Sequence, residues 1–555
     1  MLHDYVIVGA GSAGCVLAAR LSEDPACSVL LIEAGGSDFG PVIRMPAAFS
    51  LPMHSRRYDW GYWSEPEAGL DGRRLQCPRG RVLGGSSSIN GMVWVRGHPL
   101  DFERWSELGA TGWDFASVLP YFRRAETFMG PADPRRGTDG PVTVRQGERR
   151  NPLYAAFEAA AEEAGYARLA DLNGERQEGF GPLDMSIAGG IRCSTARAYL
   201  APVRGRPNLT VMSRTTVTRL CLEAGRVVGV EVRRGDGSVE VQGARREVIC
   251  SAGAIGSPLL LMRSGIGPAA VLQGAGIEPA LVRDEVGANL ADHLEVYVQQ
   301  ACRQPISLNG QLHLLGKARI GLRWLLRRDG PGATNHFESG GFIRSAAGQR
   351  QPDIQFHFLP AAVRYDGASA AAGHGFQAHV GPMLPESRGR VRITGPGADA
   401  PPSIHFDYLR AEADRRVFRA AIRATRELFA QAAFADLRGE ELSPGAAVRT
   451  DDELDAFVRA HAESAYHPCG TCRMGGDVDA VVDPQCRVRG VAGLRVVDAS
   501  VFPHITNGNL NAPTIMLAER AADLIRARQP LPADPRPWWS DPHWRDRQRA
   551  GSGAV

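Results

Sequence analysis

No stretch of this 555-residue chain approaches the ~20 consecutive apolar residues that cross a bilayer, so a spanning helix is not expected. Charge of one sign is also missing. The formal net charge is only +3, and no basic stripe points to nucleic acid as a partner. The 10 cysteines are scattered and form no dense disulfide framework, so reduced thiols in a cytoplasmic setting are the default. The first apolar strand already begins at Tyr5, so a secretory signal, with its charged segment, apolar run and cleavage site, is not expected. Cys469 and Cys472 form a C-x-x-C pair, but no second pair or paired histidines follow to complete a zinc site, and no metal is expected.

What is present begins at once. Tyr5-Val6-Ile7-Val8 runs into Gly9-Ala10-Gly11-Ser12-Ala13-Gly14 and then into the helical stretch Val16-Leu17-Ala18-Ala19. A second apolar run, Val29 to Ile32, ends in Glu33. Strand, glycine turn, helix, strand and terminal carboxylate form the context in which G-x-G-x-x-G binds a dinucleotide. The glycines give a tight turn and let a pyrophosphate approach backbone, and the acid accepts hydrogen bonds from a ribose. The length suggests two or three closely packed units around such a site.

Aromatics crowd Tyr58-Asp59-Trp60-Gly61-Tyr62-Trp63, either packed beneath a loop or forming a wall of the site. Pro78 to Val93 then places Gly84-Gly85-Ser86-Ser87-Ser88-Ile89-Asn90-Gly91-Met92 between apolar neighbours, a loop rich in backbone N–H groups and hydroxyls for an anion. Segment 152–165 has helical spacing and reads as scaffold. Strand patterns at 210–220, 227–232 and 247–250 read as a return to the nucleotide domain.

The Pro78–Val93 loop, the run from Gly253 to Gly267 and the stretch Ser464 to Gly475 resemble, in order, signatures of the glucose–methanol–choline family of flavin-dependent alcohol oxidoreductases. The resemblance implies an α/β fold with a Rossmann-like FAD-binding domain, discontinuous in sequence, and an α+β substrate domain on an antiparallel sheet. FAD is the implied cofactor. Gly9, Gly11, Gly14 and Glu33 would hold its ADP half, with Val217 near the adenine; Gly84, Asn90, Gly91, Met92, Val93, Asp498 and Ala499 complete the expected cofactor set. Ile89 stands where some relatives carry a flavin-linking histidine, so no covalent link is expected there. The expected division is 1–300 for the FAD region, 301–460 for substrate, 461–530 for the return to the active site, and a tail from 531 to 555.

In the middle region the alternation of Ile354, Phe356 and Phe358 against Gln355 and His357 predicts a sheet with one polar face, a pocket floor or a solvated surface. Strands near 376–380 and 390–393 are assigned to the same sheet. By resemblance the substrate residues are Glu338, which would face a quaternary ammonium, with Trp60, Tyr466 and His357; aromatic faces suit a cation lacking N–H donors. The same resemblance makes His467 the general base and Asn511 its hydrogen-bonding partner on the alcohol oxygen. The implied reaction oxidises a primary alcohol, choline or a neutral aliphatic or polyol alcohol, with hydride passing to the flavin. The electron acceptor stays open between oxygen, a quinone and the respiratory chain. A nicotinamide dehydrogenase and a flavin-containing cyanohydrin lyase are the rival readings. The tail, rich in Pro, Trp and Arg, reads either as docked on its own domain or as a contact for an electron acceptor or the inner-membrane surface.

Overall fold

The computed structural model describes residues 2–364, 369–370 and 373–549. Two seven-stranded sheets carry the architecture. In the first, the strands run in the order Leu209–Met212, Val29–Ile32, Leu2–Val8, Val239–Cys250, Arg226–Arg234 and Thr215–Glu223. Leu2–Val8 pairs in parallel with both neighbours, Tyr5 opposite Val29 and Val8 opposite both Ile32 and Cys250. Helices cover these strands, so Val29–Ile32 is buried throughout and reads as an unbroken apolar run.

The last segment of the chain joins the first. Leu494–Val496 pairs in parallel with Val239–Cys250, and the Asn511–Ile525 helix packs on the Ser12–Leu21 helix. Arg20 reaches across that helix pair to Glu519 at 2.9 Å. The nucleotide unit is therefore discontinuous in sequence, as the resemblance implied.

The second sheet is antiparallel, in the order Arg438–Ser443, Leu294–Cys302, Gly375–Pro382, Ile354–Leu359, Ser339–Ile343 and Gly179–Pro182. It draws strands from before residue 300, so the boundary expected there falls inside Leu294–Cys302. Arg390–Arg392 is not part of it and pairs with Ser403–His405 in a separate ribbon. One face packs aromatics: Phe358 stacks on Phe157 at 4.4 Å and Phe376 on Phe434 at 5.0 Å. The opposite face carries His357 and His379, and it is a cavity floor rather than a solvated surface.

Of the two readings of the tail, docking is what the structure shows. Trp538 meets Phe115 edge-on at 5.7 Å, Arg176 lies 3.6 Å over Trp539, and Asp541 bonds buried Arg344 at 2.6 Å. Residues 550–555 of the expected tail lie outside the described residues.

Candidate active site

One cavity of about 370 Å³ lies between the two sheets, with the glycine turn at one end and His467 at the other. At the first end the turn is too tight for side chains. A Cβ on Gly14 would sit 1.8 Å from the Gly9 carbonyl oxygen, and Gly9 itself holds φ +98. The Ser12–Leu21 helix starts at Gly11 with no side-chain cap, which leaves its first amides to an anion. Glu33 accepts from the Ala10 N–H at 2.9 Å and the Gly35 N–H at 2.8 Å, and burial pushes its carboxyl up to about 7. Gly9, Gly11, Glu33 and Val217 all line the cavity. Backbone walls, uncapped helix amides and a carboxylate at the strand end are the parts a dinucleotide's ADP half requires.

The glycine–serine loop forms the next stretch of wall through Asn90, Gly91, Met92 and Val93. Buried Arg192 orders it, bonding the Asn90 side chain at 2.7 Å and its carbonyl at 2.6 Å. Met92 adopts φ +60, a left-handed conformation uncommon outside glycine. Gly84 is not on the wall; its N–H donates to the Ala10 carbonyl at 2.7 Å and ties the two loops together. Asp498 and Ala499 line the far side. Asp498 accepts from Ser257 Oγ at 2.6 Å and from the Gly253 N–H at 2.9 Å, joining the second signature to the C-terminal return.

At the other end, a segment that sequence reading passed over holds the site together. Asp292 is buried and accepts from Tyr408 Oη at 2.5 Å, Ser464 Oγ at 2.6 Å and the His467 N–H at 2.7 Å, fixing the loop on which His467 sits. Tyr466, just before it, takes φ +66, and its carbonyl accepts from Arg79 at 2.6 Å. Next to Asp292, His293 places Nε2 2.9 Å from the Met383 carbonyl and Nδ1 3.1 Å from His467 Nδ1.

That geometry assigns the protons. A carbonyl only accepts, so His293 Nε2 carries hydrogen; burial holds its pKa down to about 3, so the ring is neutral and Nδ1 is an acceptor. His467 must then donate from Nδ1. Burial first, and His293 second, hold His467 well below the ordinary imidazole value, so its Nε2 keeps a lone pair. That atom lies 3.1 Å from the Asn509 amide nitrogen. The Asn509 carbonyl faces Gln355 Nε2 at 3.3 Å and His357 Nε2 at 3.4 Å, which turns its amide N–H groups toward His467.

Two expected residues are displaced by these facts. Asn511, assigned as the partner of His467, opens the Asn511–Ile525 helix, and its side chain accepts from Ser12 Oγ at 2.8 Å beside the cofactor cradle. Asn509, two residues earlier in the turn, is the one against His467. Glu338 does not line the cavity. Its carboxylate accepts from Thr334 Oγ1 at 2.7 Å and from the Arg149 N–H, and Gly147 packs so closely that a Cβ there would lie 2.4 Å from Glu338 Cβ. At the His467 end the carboxylate on the cavity wall is Glu295, which bonds His379 Nδ1 at 3.1 Å. Tyr297 stacks on that histidine at 3.7 Å, and Trp60, Tyr466 and Phe337 line the same space. A period of two would have exposed Glu295: Leu294, Val296 and Val298 are buried on one face, and Glu295 and Tyr297 alternate onto the other. Cys469 and Cys472 are buried free thiols.

A Rossmann-like sheet closed by its own C-terminal return, set over an antiparallel substrate sheet with one shared cavity, defines a flavoprotein oxidoreductase. GMC oxidoreductase families match residues 3–295 and 385–518. The chain is 55% identical over 551 residues to an oxygen-dependent choline dehydrogenase of Brucella canis, covering 99% of this chain and 100% of that one. It is 56% identical over 553 residues to an oxygen-dependent choline dehydrogenase of Vibrio vulnificus, with 99% of each covered. Among solved structures, pyridoxine 4-oxidase from Mesorbium loti superposes with a TM-score of 0.86 at 37% identity, covering 95% of this chain and 100% of that chain. A formate oxidase of Aspergillus oryzae RIB40 does so with 0.88 at 28%, covering 95% and 98%. The chain belongs to the GMC oxidoreductase family, and it is an FAD-dependent oxidoreductase acting on CH–OH groups.

Proposed function

We propose that this enzyme oxidises choline to its aldehyde and passes the electrons to oxygen. The observation that carries the reading is Glu295, a carboxylate on the wall of the cavity that holds His467, set among the faces of Trp60, Tyr297, Tyr466 and Phe337. A quaternary ammonium offers no hydrogen to donate, so a carboxylate and aromatic faces are the chemistry that can hold it. Two other rings on this wall, His357 and His467, raise no opposing charge, because burial keeps His357 down at about 4 and His467 well below the ordinary imidazole value. The relatives named as oxygen-dependent choline dehydrogenases support both substrate and acceptor.

Within this reading, Glu295 holds the ammonium and turns the hydroxyl toward His467. The Nε2 lone pair of His467 accepts the hydroxyl proton, and an Asn509 N–H donates to the oxygen as its negative charge grows. Donors already aimed at developing charge lower the barrier because no reorganisation is needed at that moment. Bound FAD supplies the acceptor for the hydride. Its ADP half would be held by Gly9, Gly11 and Glu33, and its flavin end flanked by Asn90 to Val93 and Ala499.

The test is anaerobic bleaching of the flavin by choline and by its uncharged tert-butyl isostere. The reading expects kcat/KM for choline to be higher by about tenfold or more, the contribution of a desolvated cation site. Equal values for the two alcohols would contradict it, and a second half-reaction with oxygen slower than turnover would remove oxygen as the acceptor.

A further inference from the structure

We propose that the Leu314–Arg327 helix is a membrane-surface element that lies flat on an anionic lipid bilayer. The helix is held to the body by its one buried side chain, Trp324, whose indole N–H donates to the Gly190 carbonyl at 2.7 Å. Its opposite side is apolar and open. Leu314 is 83% exposed, Leu315 77%, Leu322 59%, Leu325 51% and Leu326 75%, an unusual concentration for a surface that meets only water. At ~100° per residue these leucines, with Ala318, fall within an arc of roughly 120° that faces away from Trp324.

Both edges of the stripe are basic. Arg319, Arg323 and Arg327 recur every fourth residue along one side, and Lys317 lies off the other; Arg328, which ends the helix, instead lies 4.0 Å over the Trp324 ring, and no acidic residue lies between His313 and Arg328. Arg323 pairs with Asp329 at 2.7 Å, whereas among the described residues Lys317, Arg319 and Arg327 have no ion-pair partner. An apolar stripe bordered by cations, on a helix that is not apolar enough to cross a membrane, matches a helix lying in the interface plane, its leucines among acyl chains and its arginines at anionic headgroups. A protein partner fits less well, since the exposed apolar set holds no aromatic side chain, the type on which protein interfaces concentrate their affinity. The turn that follows, Gly330–Ala333, packs on Pro46–Ala48, next to Phe49 of the cavity wall, so the lipid face adjoins the site.

The experiment is co-sedimentation of the FAD-loaded enzyme with vesicles of phosphatidylcholine alone and of phosphatidylcholine with phosphatidylglycerol. The wild type is expected to bind the anionic vesicles and to be released by salt. The triple variant Leu322→Ser, Leu325→Ser, Leu326→Ser should lose binding by at least about tenfold, and Arg319→Gln and Arg327→Gln by about fivefold each. All three forms should keep wild-type turnover with oxygen or a soluble acceptor. The proposal is overturned if the wild type does not bind anionic vesicles, or if the leucine variant binds as well as the wild type. It is also overturned if light scattering shows a dimer that the leucine variant alone dissolves, which would assign the face to a second copy.

Discussion

His293 Nδ1 stands 3.1 Å from His467 Nδ1, and the Met383 carbonyl 2.9 Å from the far nitrogen of His293 decides which ring donates. The chain from carbonyl to His293 to His467 leaves the only lone pair at His467 Nε2, on the cavity side. His293 is thus a positioning residue. His293→Ala leaves a buried N–H of His467 without an acceptor, a loss of ~1–3 kcal/mol, which corresponds to a fall in kcat of roughly five- to 150-fold with KM little changed. Because burial is the main cause that holds the His467 pKa down, the space opened beside the ring by removing His293 should move the acidic limb of kcat/KM to higher pH. A limb that stays put while activity falls would mark a merely structural effect.

Asn509 and Asn511 separate in kinetics. Asn509→Ala should lower the rate of flavin reduction by two to three orders of magnitude, roughly the effect of removing one donor aimed at an oxyanion. Asn511→Ala should act chiefly on FAD retention, since its partner is Ser12 beside the cradle. The reverse pattern, measured by rapid mixing without oxygen and by flavin release, would restore Asn511 to the catalytic role.

Glu295→Gln should raise KM for choline about tenfold or more while leaving the tert-butyl isostere nearly unaffected. Glu338→Gln should do neither and should instead lower the melting temperature, because the carboxylate is buried on the Thr334 hydroxyl and the Arg149 amide. A choline-specific KM effect from Glu338 would reassign the cation site.

His98 offers a pH test away from the site. Its Nδ1 caps a helix by accepting from the Leu100 N–H at 3.2 Å, and burial holds its pKa down to about 3. The unfolded ring titrates near ~6.5. The stability it contributes is therefore complete above that value and is lost as pH falls from there toward 3. The melting temperature of the wild type should drop more steeply than that of His98→Asn between neutral pH and the acid range, and the two curves should run parallel above neutrality. Curves parallel throughout would show that the ring titrates normally.

The nucleotide cradle was legible in the sequence because its determinants are local: a strand, three glycines and Glu33 within one β–α–β unit. The discontinuous fold and His467 followed from separated motifs in a fixed order. Asn509 was missed because Asn507, Asn509 and Asn511 alternate through one turn, and only the start of the helix at Asn511 sorts which of them turns to the histidine. Glu338 drew the assignment through its aromatic and glycine flanks, but Gly147, far away in sequence, closes over it, a contact that no local pattern announces. The Asp292–Glu295 segment carried a signal in its period of two. What it could not show is that Asp292 and His293 reach across more than 170 residues to hold one imidazole.

Under the proposed mechanism His467, neutral and held through Nδ1, takes the alcohol proton. The most direct test is the anaerobic rate of flavin reduction by choline in FAD-loaded His467→Ala. The predicted result is a rate lower by about two to four orders of magnitude in a protein that remains yellow. A rate close to that of the wild type would contradict it.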